Sequence, residues 1–259
     1  MNSADIILEA ARLRQENRAF SIATIVSTKG SVPRKSGTKM LVLEDGTTIG
    51  TIGGGVFEKW VKGLCLKALS SQQCVFDEFT FETKAGDMAC GGTIAVFIEP
   101  VLSRVRLFIL GSGHVAQALG KLALFCNKLV IILDKQIRHL QEDTLLKACK
   151  KVEIADFKHV FTQEIPHKND MVVIATGTHE DDYIALKQTL LTDVGFIGLL
   201  GSRKKWALFS KRLPDDGIPK KDLERVFCPV GLDIGAQGPE EIAVSIVAQL
   251  IKKIRNFSA

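Results

Sequence analysis

Residues 105–125 read VRLFILGSGHVAQALGKLALF: an apolar run, a turn carrying two glycines, then a helix-like segment. A turn of the form G-x-G-x-x-[GA] is a weak signal alone, because any tight strand-to-helix connection can use glycine. Its surroundings add weight. The run KLVIILD (128–134) follows as a buried strand, and Asp134 ends it 23 residues after Gly111, close to the spacing at which a dinucleotide fold places its ribose-binding carboxylate. Gly111 is expected to make the turn, Gly113 to let a phosphate approach the backbone, and Ala116 to let the helix pack on the strand. The first amides of the helix then face the anion with a partial positive charge. The same turn is compatible with a retained fold whose site is empty or takes another phosphate-bearing ligand, and His114 either covers the turn or takes part in binding.

Working outward, DMVVIAT (170–176) and VGFIGLLG (194–201) are further apolar strands with helix-like segments between, and GPEEIAVSIVAQLIKKI (238–254) closes with Pro239 and two glutamates at a helix start. Strands of continuous Val, Ile and Leu character alternating with helices predict a parallel, doubly covered sheet. Before Pro100 the pattern differs. DIILEAARLR (5–14) predicts a short amphipathic helix and AFSIATIVST (19–28) a strand. KMLVLEDGTTIGTI (39–52) predicts two strands about an Asp45-Gly46 turn, VFEKWVKGLCLKAL (56–69) a helix, and CVFDEFTF (74–81) and TIAVFIEP (93–100) two more strands. The fold class expected is therefore α/β: a small N-terminal α+β domain over residues 1–101, a linker at Leu102-Ser103, and a Rossmann-like doubly wound parallel-sheet domain over residues 104–259.

The first domain carries a second glycine turn, GTIGGGVFE (50–58). Its adjacent glycines do not fit the dinucleotide pattern. They permit positive φ and expose successive N–H groups, as an anion-binding concavity requires. Glu58, one turn into the helix, either caps the helix start or faces a ligand. KGSVPRKSGTKM (29–40) is a polar loop with Arg34, Lys35 and Lys39, and GDMACGG (86–92) offers Cys90 between glycines. Cys90 reads either as a small packing residue or as a reactive thiol or soft-metal ligand.

In the second domain His179 and Asp182 lie three apart near a helix start, which suits ligand binding or a proton-transfer pair as well as a plain surface helix start. SRKKW (202–206) places Ser202 at a helix start followed by basic residues, fitting a phosphate site or a solvated basic face.

Bulk properties narrow the function classes. The excess of 34 Lys and Arg over 29 Asp and Glu gives a net charge of +5, too small and too dispersed for a nucleic-acid-binding tail. Six cysteines occur without a Cys-x-x-Cys pair, so no zinc ribbon or thioredoxin-like site is signalled and reduced thiols are expected. The amino terminus has no apolar signal region, and no apolar stretch reaches the roughly 18 residues of a membrane helix. A cytoplasmic protein without a membrane or nucleic-acid partner is expected, most simply as a symmetric homodimer.

Taken in order, GSVPRKSGTKM, DGTTIGTIGGGVFE, GDMACGG, GSGHVA, THEDDYIAL, GFIGLLGSRKK and PVGLDIGAQGPEEIAVSI resemble the XdhC/CoxI family, accessory proteins for the maturation of molybdenum hydroxylases such as xanthine dehydrogenase. The resemblance spans nearly the whole chain. It implies a factor that binds molybdenum cofactor, protects it while a cysteine desulfurase supplies its terminal sulfur, and delivers it to the apo-hydroxylase. Carried over by motif, Ser31, Arg34, Gly53, Gly54, Gly55, Glu58 and Cys90 mark the first domain's site, with Cys90 the residue expected to touch metal or relay sulfur. Gly111, Gly113, His114, Asp134, His179, Asp182, Ser202 and Lys205 mark the second's. The chain departs from the family pattern at Gln136, where an arginine is frequent, and at Thr176-Gly177-Thr178-His179, where Thr-Arg-Gly-His is frequent; both changes remove a basic side chain beside the second-domain cleft. No catalytic residue is nominated. The alternatives are an NAD(P)-dependent oxidoreductase built on GSGHVA and a nucleotide-sensing interaction module.

Overall fold

The computed structural model describes residues 3–81, 91–140 and 143–257. The chain divides into two compact units, Met1–Ser103 and Arg104–Ala259.

In the first unit, strands β1 (Phe20–Gly30), β2 (Lys39–Leu43), β3 (Thr48–Gly50), β4 (Val75–Thr80) and β5 (Gly92–Val101) form one sheet in the order β3-β2-β1-β5-β4. All its pairings are antiparallel. Period-two alternation splits its apolar residues between two helices. Ala23, Ile25, Met40, Val42, Ile94, Val96 and Ile98 pack with Phe57, Val61 and Cys65 of helix α2 (Gly55–Ser71). Phe20, Leu41 and Leu43 pack with Ile6 and Leu13 of helix α1 (Ser3–Gln15).

The β2–β3 turn uses Asp45 Oδ1 to accept from Thr47 N at 2.8 Å, with Gly46 at φ 79°. At the amino end of α2, Phe57, Trp60, Phe79 and Phe81 form a ring cluster with centroid separations between 5.0 Å and 6.1 Å. Phe57 is fully buried. Removing such a ring from water contributes about 1.5–3 kcal/mol, so the start of α2, and with it the glycine turn just before, is pinned to the end of β4.

Among its described residues the second unit has six strands, β6 (Arg106–Leu110), β7 (Leu129–Asp134), β8 (Lys150–Glu153), β9 (Met171–Ile174), β10 (Phe196–Leu199) and β11 (Val226–Phe227), in the order β11-β10-β9-β6-β7-β8. Every pairing is parallel. This is the doubly wound order, in which the chain leaves β6 toward one edge and returns beside it as β9. Helices α3 (His114–Phe125) and α6 (Gly238–Phe257) cover one face through Leu107, Ile109, Ala116, Leu119 and Ile246. Helices α4 (His179–Leu190) and α5 (Arg203–Arg212) cover the other through Phe108, Leu110, Tyr183, Leu186 and Phe209. The α/β class with a Rossmann-like parallel sheet is thus observed. The β7–β8 connection contains short 3-10 turns, Arg138–Leu140 and Thr144–Leu146, among its described residues.

No helix among the described residues is long and apolar enough to cross a membrane.

Candidate functional site

The first unit brings three of its motifs together. Gly53, Gly54 and Gly55 have φ values of 136°, 75° and 64°, a left-handed run that only glycine adopts without strain. Glu58 turns back onto this corner. Its Oε2 accepts from Thr51 Oγ1 at 2.5 Å, Gly54 N at 3.1 Å and Ile52 N at 3.3 Å. Glu58 therefore holds the corner's shape, and Gly54 and Gly55 face open space. The first amides of α2 lack intrahelical acceptors, as at any helix start.

The loop beginning at Ser31 lies against the same corner. A Cβ on Gly53 would stand 3.0 Å from Pro33 Cγ and 3.6 Å from Arg34 Cγ. Arg34 is exposed and has no hydrogen-bond or ion-pair partner among the described residues. Gly92, at the end of the third motif, fits where a Cβ would come within 2.5 Å of Lys29 O, 2.6 Å of Val32 Cγ1 and 2.7 Å of Ser31 O. Cys90, the residue expected to touch metal, lies outside the described residues.

In the second unit the glycine turn closes β6 against β9. Gly111 has φ 118°, and a Cβ there would lie 2.1 Å from Ala175 O. Gly113 caps α3 at φ −68° with open space around it. Buried Ala116 packs the helix onto the sheet. The carboxylate at the end of β7 is engaged within the chain: Asp134 Oδ2 accepts from Ser112 Oγ at 2.5 Å and Oδ1 from Lys135 N at 2.6 Å. Lys135 reaches from the end of β7 to Asp181 of α4, Nζ to Oδ2 at 2.7 Å. His114 lines a surface groove between α3 and α6 with Phe125, Pro239 and Glu240.

His179 and Asp182 are held apart by different partners, so of the readings open for them the proton-transfer pair is not formed. Asp182 is buried and accepts from Thr176 N at 3.0 Å and Thr176 Oγ1 at 2.7 Å, while His179 is exposed and meets the Phe209 ring edge-on at 6.3 Å. Asp182 is instead the partner of Lys205, which is also buried and donates to Leu200 O at 3.0 Å. Lys205 is thereby committed within the chain rather than presented on a solvated basic face, one of the two readings of SRKKW. A buried ammonium is retained only where its charge and donors are matched, and Asp182 with Leu200 O supply that match. Ser202 is the cap of α5, its side chain accepting from Lys205 N at 3.2 Å.

Sequence reasoning missed the partners that create these arrangements: Thr51, Ser112, Lys135, Thr176 and Asp181. Each is a polar or charged residue whose role depends on a contact made by the fold, 6 or 7 residues away for Thr176 and Thr51 and 22 or 46 away for Ser112 and the Lys135–Asp181 pair. Cys228, at the end of β11, was missed as well. Its Sγ lies 3.7 Å from Gly201 O, and burial pushes its thiol up against the opposing pull of nearby Lys205, leaving it a protonated donor rather than a thiolate. A second concavity, of about 510 Å³, opens beyond β10 and β11, bounded by the β10–α5 turn and residues 229–236.

These features define a class: a two-unit α/β protein whose first unit presents a glycine corner and whose second is a doubly wound domain with most of its cleft charges paired internally. A family profile described as the XdhC Rossmann domain matches residues 107–250, and one described as the XdhC and CoxI family matches residues 13–79. The chain belongs to the XdhC/CoxI family.

Among curated relatives, Escherichia coli K12 YqeB, described as an uncharacterized protein, is 31% identical over 255 residues, covering 97% of this chain and 47% of its own. A Bacillus subtilis protein, described as a probable subunit of xanthine dehydrogenase, is 32% identical over 166 residues, covering 62% of this chain and 46% of its own. The chain spans about half the length of these relatives. A crystal structure from Bacillus halodurans, described as a xanthine dehydrogenase, aligns over 99% of this chain and 96% of its own with a TM-score of 0.51 at 24% identity, a likeness of fold.

Proposed function

We propose that the protein is a maturation factor for a molybdenum hydroxylase of the xanthine dehydrogenase type. It binds molybdenum cofactor, shields it while a cysteine desulfurase supplies the terminal sulfur, and passes it to the apo-enzyme; binding and delivery are favoured over catalysis. Family membership supports this reading, as does the description of the Bacillus subtilis relative. The observation that carries it is the glycine corner, fixed from behind by Glu58 and flanked by an Arg34 that has no partner among the described residues.

The residues fit the anionic tail of such a cofactor. Open backbone at Gly54 and Gly55, the first amides of α2 and the Arg34 guanidinium are complementary to a phosphate, and Gly53 lets Pro33 and the loop that carries Arg34 approach the corner. The cofactor brings the dithiolene-bound metal that the client needs, and Cys90 is proposed as its soft ligand or sulfur relay. An NAD(P)-dependent oxidoreductase is less well supported, because both Asp134 oxygens are engaged by Ser112 and Lys135.

The test is retention. After incubation with molybdenum cofactor and gel filtration, the full chain is expected to carry stoichiometric molybdenum and pterin, and Gly54→Val to lose most of both. A wild-type chain that retains neither overturns the proposal. Light scattering on the same sample measures the proposed homodimer.

A further inference from the structure

We infer that the concavity beyond β10 and β11 binds a phosphorylated heterocycle bearing a 2-amino-4-oxopyrimidine edge, with Asp233 accepting from the amino and ring N–H groups of that edge and Arg203 holding the phosphate. The cavity, of about 510 Å³, is within the range of small-ligand sites and lies at the carboxyl ends of β10 and β11, away from the crevice between β6 and β9 where the strand order reverses.

Its walls are preformed. Leu232 N donates to Ser245 O at 3.1 Å, Ser245 Oγ to Leu232 O at 2.7 Å, and Gly231 N to Gln249 Oε1 at 2.8 Å, so the loop is fastened to α6. The fastening depends on glycine. A Cβ on Gly231 would lie 2.2 Å from Ser245 Oγ, and one on Gly198 would lie 2.5 Å from Val230 Cγ2.

The charges at this cavity differ from those at the GSGHVA cleft. There Asp134, Lys135, Asp181, Asp182 and Lys205 all have partners within the chain. Arg203 and Asp233 both line the cavity, and neither has a hydrogen bond or ion pair among the described residues. Two uncommitted charges of opposite sign select a ligand with an anion at one end and a paired N–H donor edge at the other. A bare anion is opposed by Asp233, and a cation by Arg203. Leu200, Leu232 and the half-exposed Ile234 add apolar wall suited to a flat ring. A carboxylate accepts two parallel N–H donors from such an edge, whereas adenine offers no such pair; a guanidinium grips phosphate in the same forked manner.

The pterin of molybdenum cofactor and the guanine of a nucleotide share this edge, and calorimetry on the full chain separates them. The probes are a pterin monophosphate, GMP, AMP, guanosine and inorganic phosphate. At least one of pterin monophosphate and GMP is expected to bind about tenfold or more tighter than AMP, the discrimination typical of one bidentate edge contact. Asp233→Asn should erase that preference, and Arg203→Gln should erase the advantage of a phosphorylated over an unphosphorylated ring. Both positions are exposed, and a circular dichroism spectrum like that of the parent confirms that each variant is folded.

Tighter pterin binding assigns the site to the cofactor's ring, and tighter GMP binding assigns it to a guanine nucleotide. Equal AMP and GMP affinity with no pterin binding, unchanged binding in both variants, or no binding of either heterocycle overturns the inference. A chain that retains molybdenum cofactor yet fails these arms loses this site but keeps the function proposed above. One that passes them without retaining cofactor does the reverse.

Discussion

The buried pair Asp182–Lys205 ties three parts of the second unit together: the end of β9 through Thr176, the end of β10 through Leu200 O, and the facing helices α4 and α5. Lys205→Met keeps most of the aliphatic stem that lies against Gly201 but removes the ammonium, leaving the Asp182 carboxylate buried with only Thr176 to answer it. Breaking one side of a buried ion pair costs about 3–5 kcal/mol. With a urea slope of about 2 kcal/mol/M, the unfolding midpoint of the second unit should fall by about 1.5–2.5 M. Because the chain has two units, one global transition is not assumed, and a local probe is needed. Trp206 of α5 packs on the core beside this pair, and the other tryptophan, Trp60, belongs to the first unit, so a Trp60→Phe background leaves fluorescence reporting the second unit alone. Asp182→Asn should also destabilise, by stranding the ammonium. The double variant Asp182→Asn/Lys205→Met removes both charges and should recover at least half of the loss. A Lys205→Met midpoint within about 0.3 M of the parent, or a double variant no more stable than either single one, would refute the assignment.

Two other outcomes test the same unit. Tyr183 is the only tyrosine, and burial followed by its 2.5 Å hydrogen bond to Asp216 pushes the phenol up to about 12, so absorbance at 295 nm should show ionisation near there in the folded chain and near ~10 in urea. Since the folded value is the higher one, the associated stability is present below ~10 and is lost as pH climbs through about 12; a folded-state midpoint near ~10 contradicts the account. Gly111→Ala would press a Cβ against Ala175 O at φ 118° and should lower stability by more than about 3 kcal/mol, whereas Gly113→Ala, at φ −68° with open space, should change it by less than about 1 kcal/mol; equal effects in thermal melts would contradict the reading of the turn.

What was legible in the sequence was what is local in the chain. The change from alternating to continuous apolar strands near Pro100, the glycine turn between an apolar run and a helix, and the Asp45-Gly46 turn each follow from the covalent neighbourhood, and each corresponds to an observed element. Strands β8 and β11 escaped notice for a reason of the same kind. Lys150–Glu153 is a polar edge strand, and Val226–Phe227 is two residues long, so neither has a period to detect.

Polar pairing was not legible, because it is decided by topology. Asp182 and Lys205 read as separate candidates, each either a ligand contact or a surface charge, and only the adjacency of β9 and β10 brings their helices together and buries both. Asp134, at the right spacing for a ribose, is met by Ser112 from inside the very turn that suggested the ligand. A charge is therefore informative about binding only after its internal partners have been assigned. By that criterion Arg34 and Asp233 on polar loops, and Arg203 at the start of α5, become the charges best placed to meet a ligand.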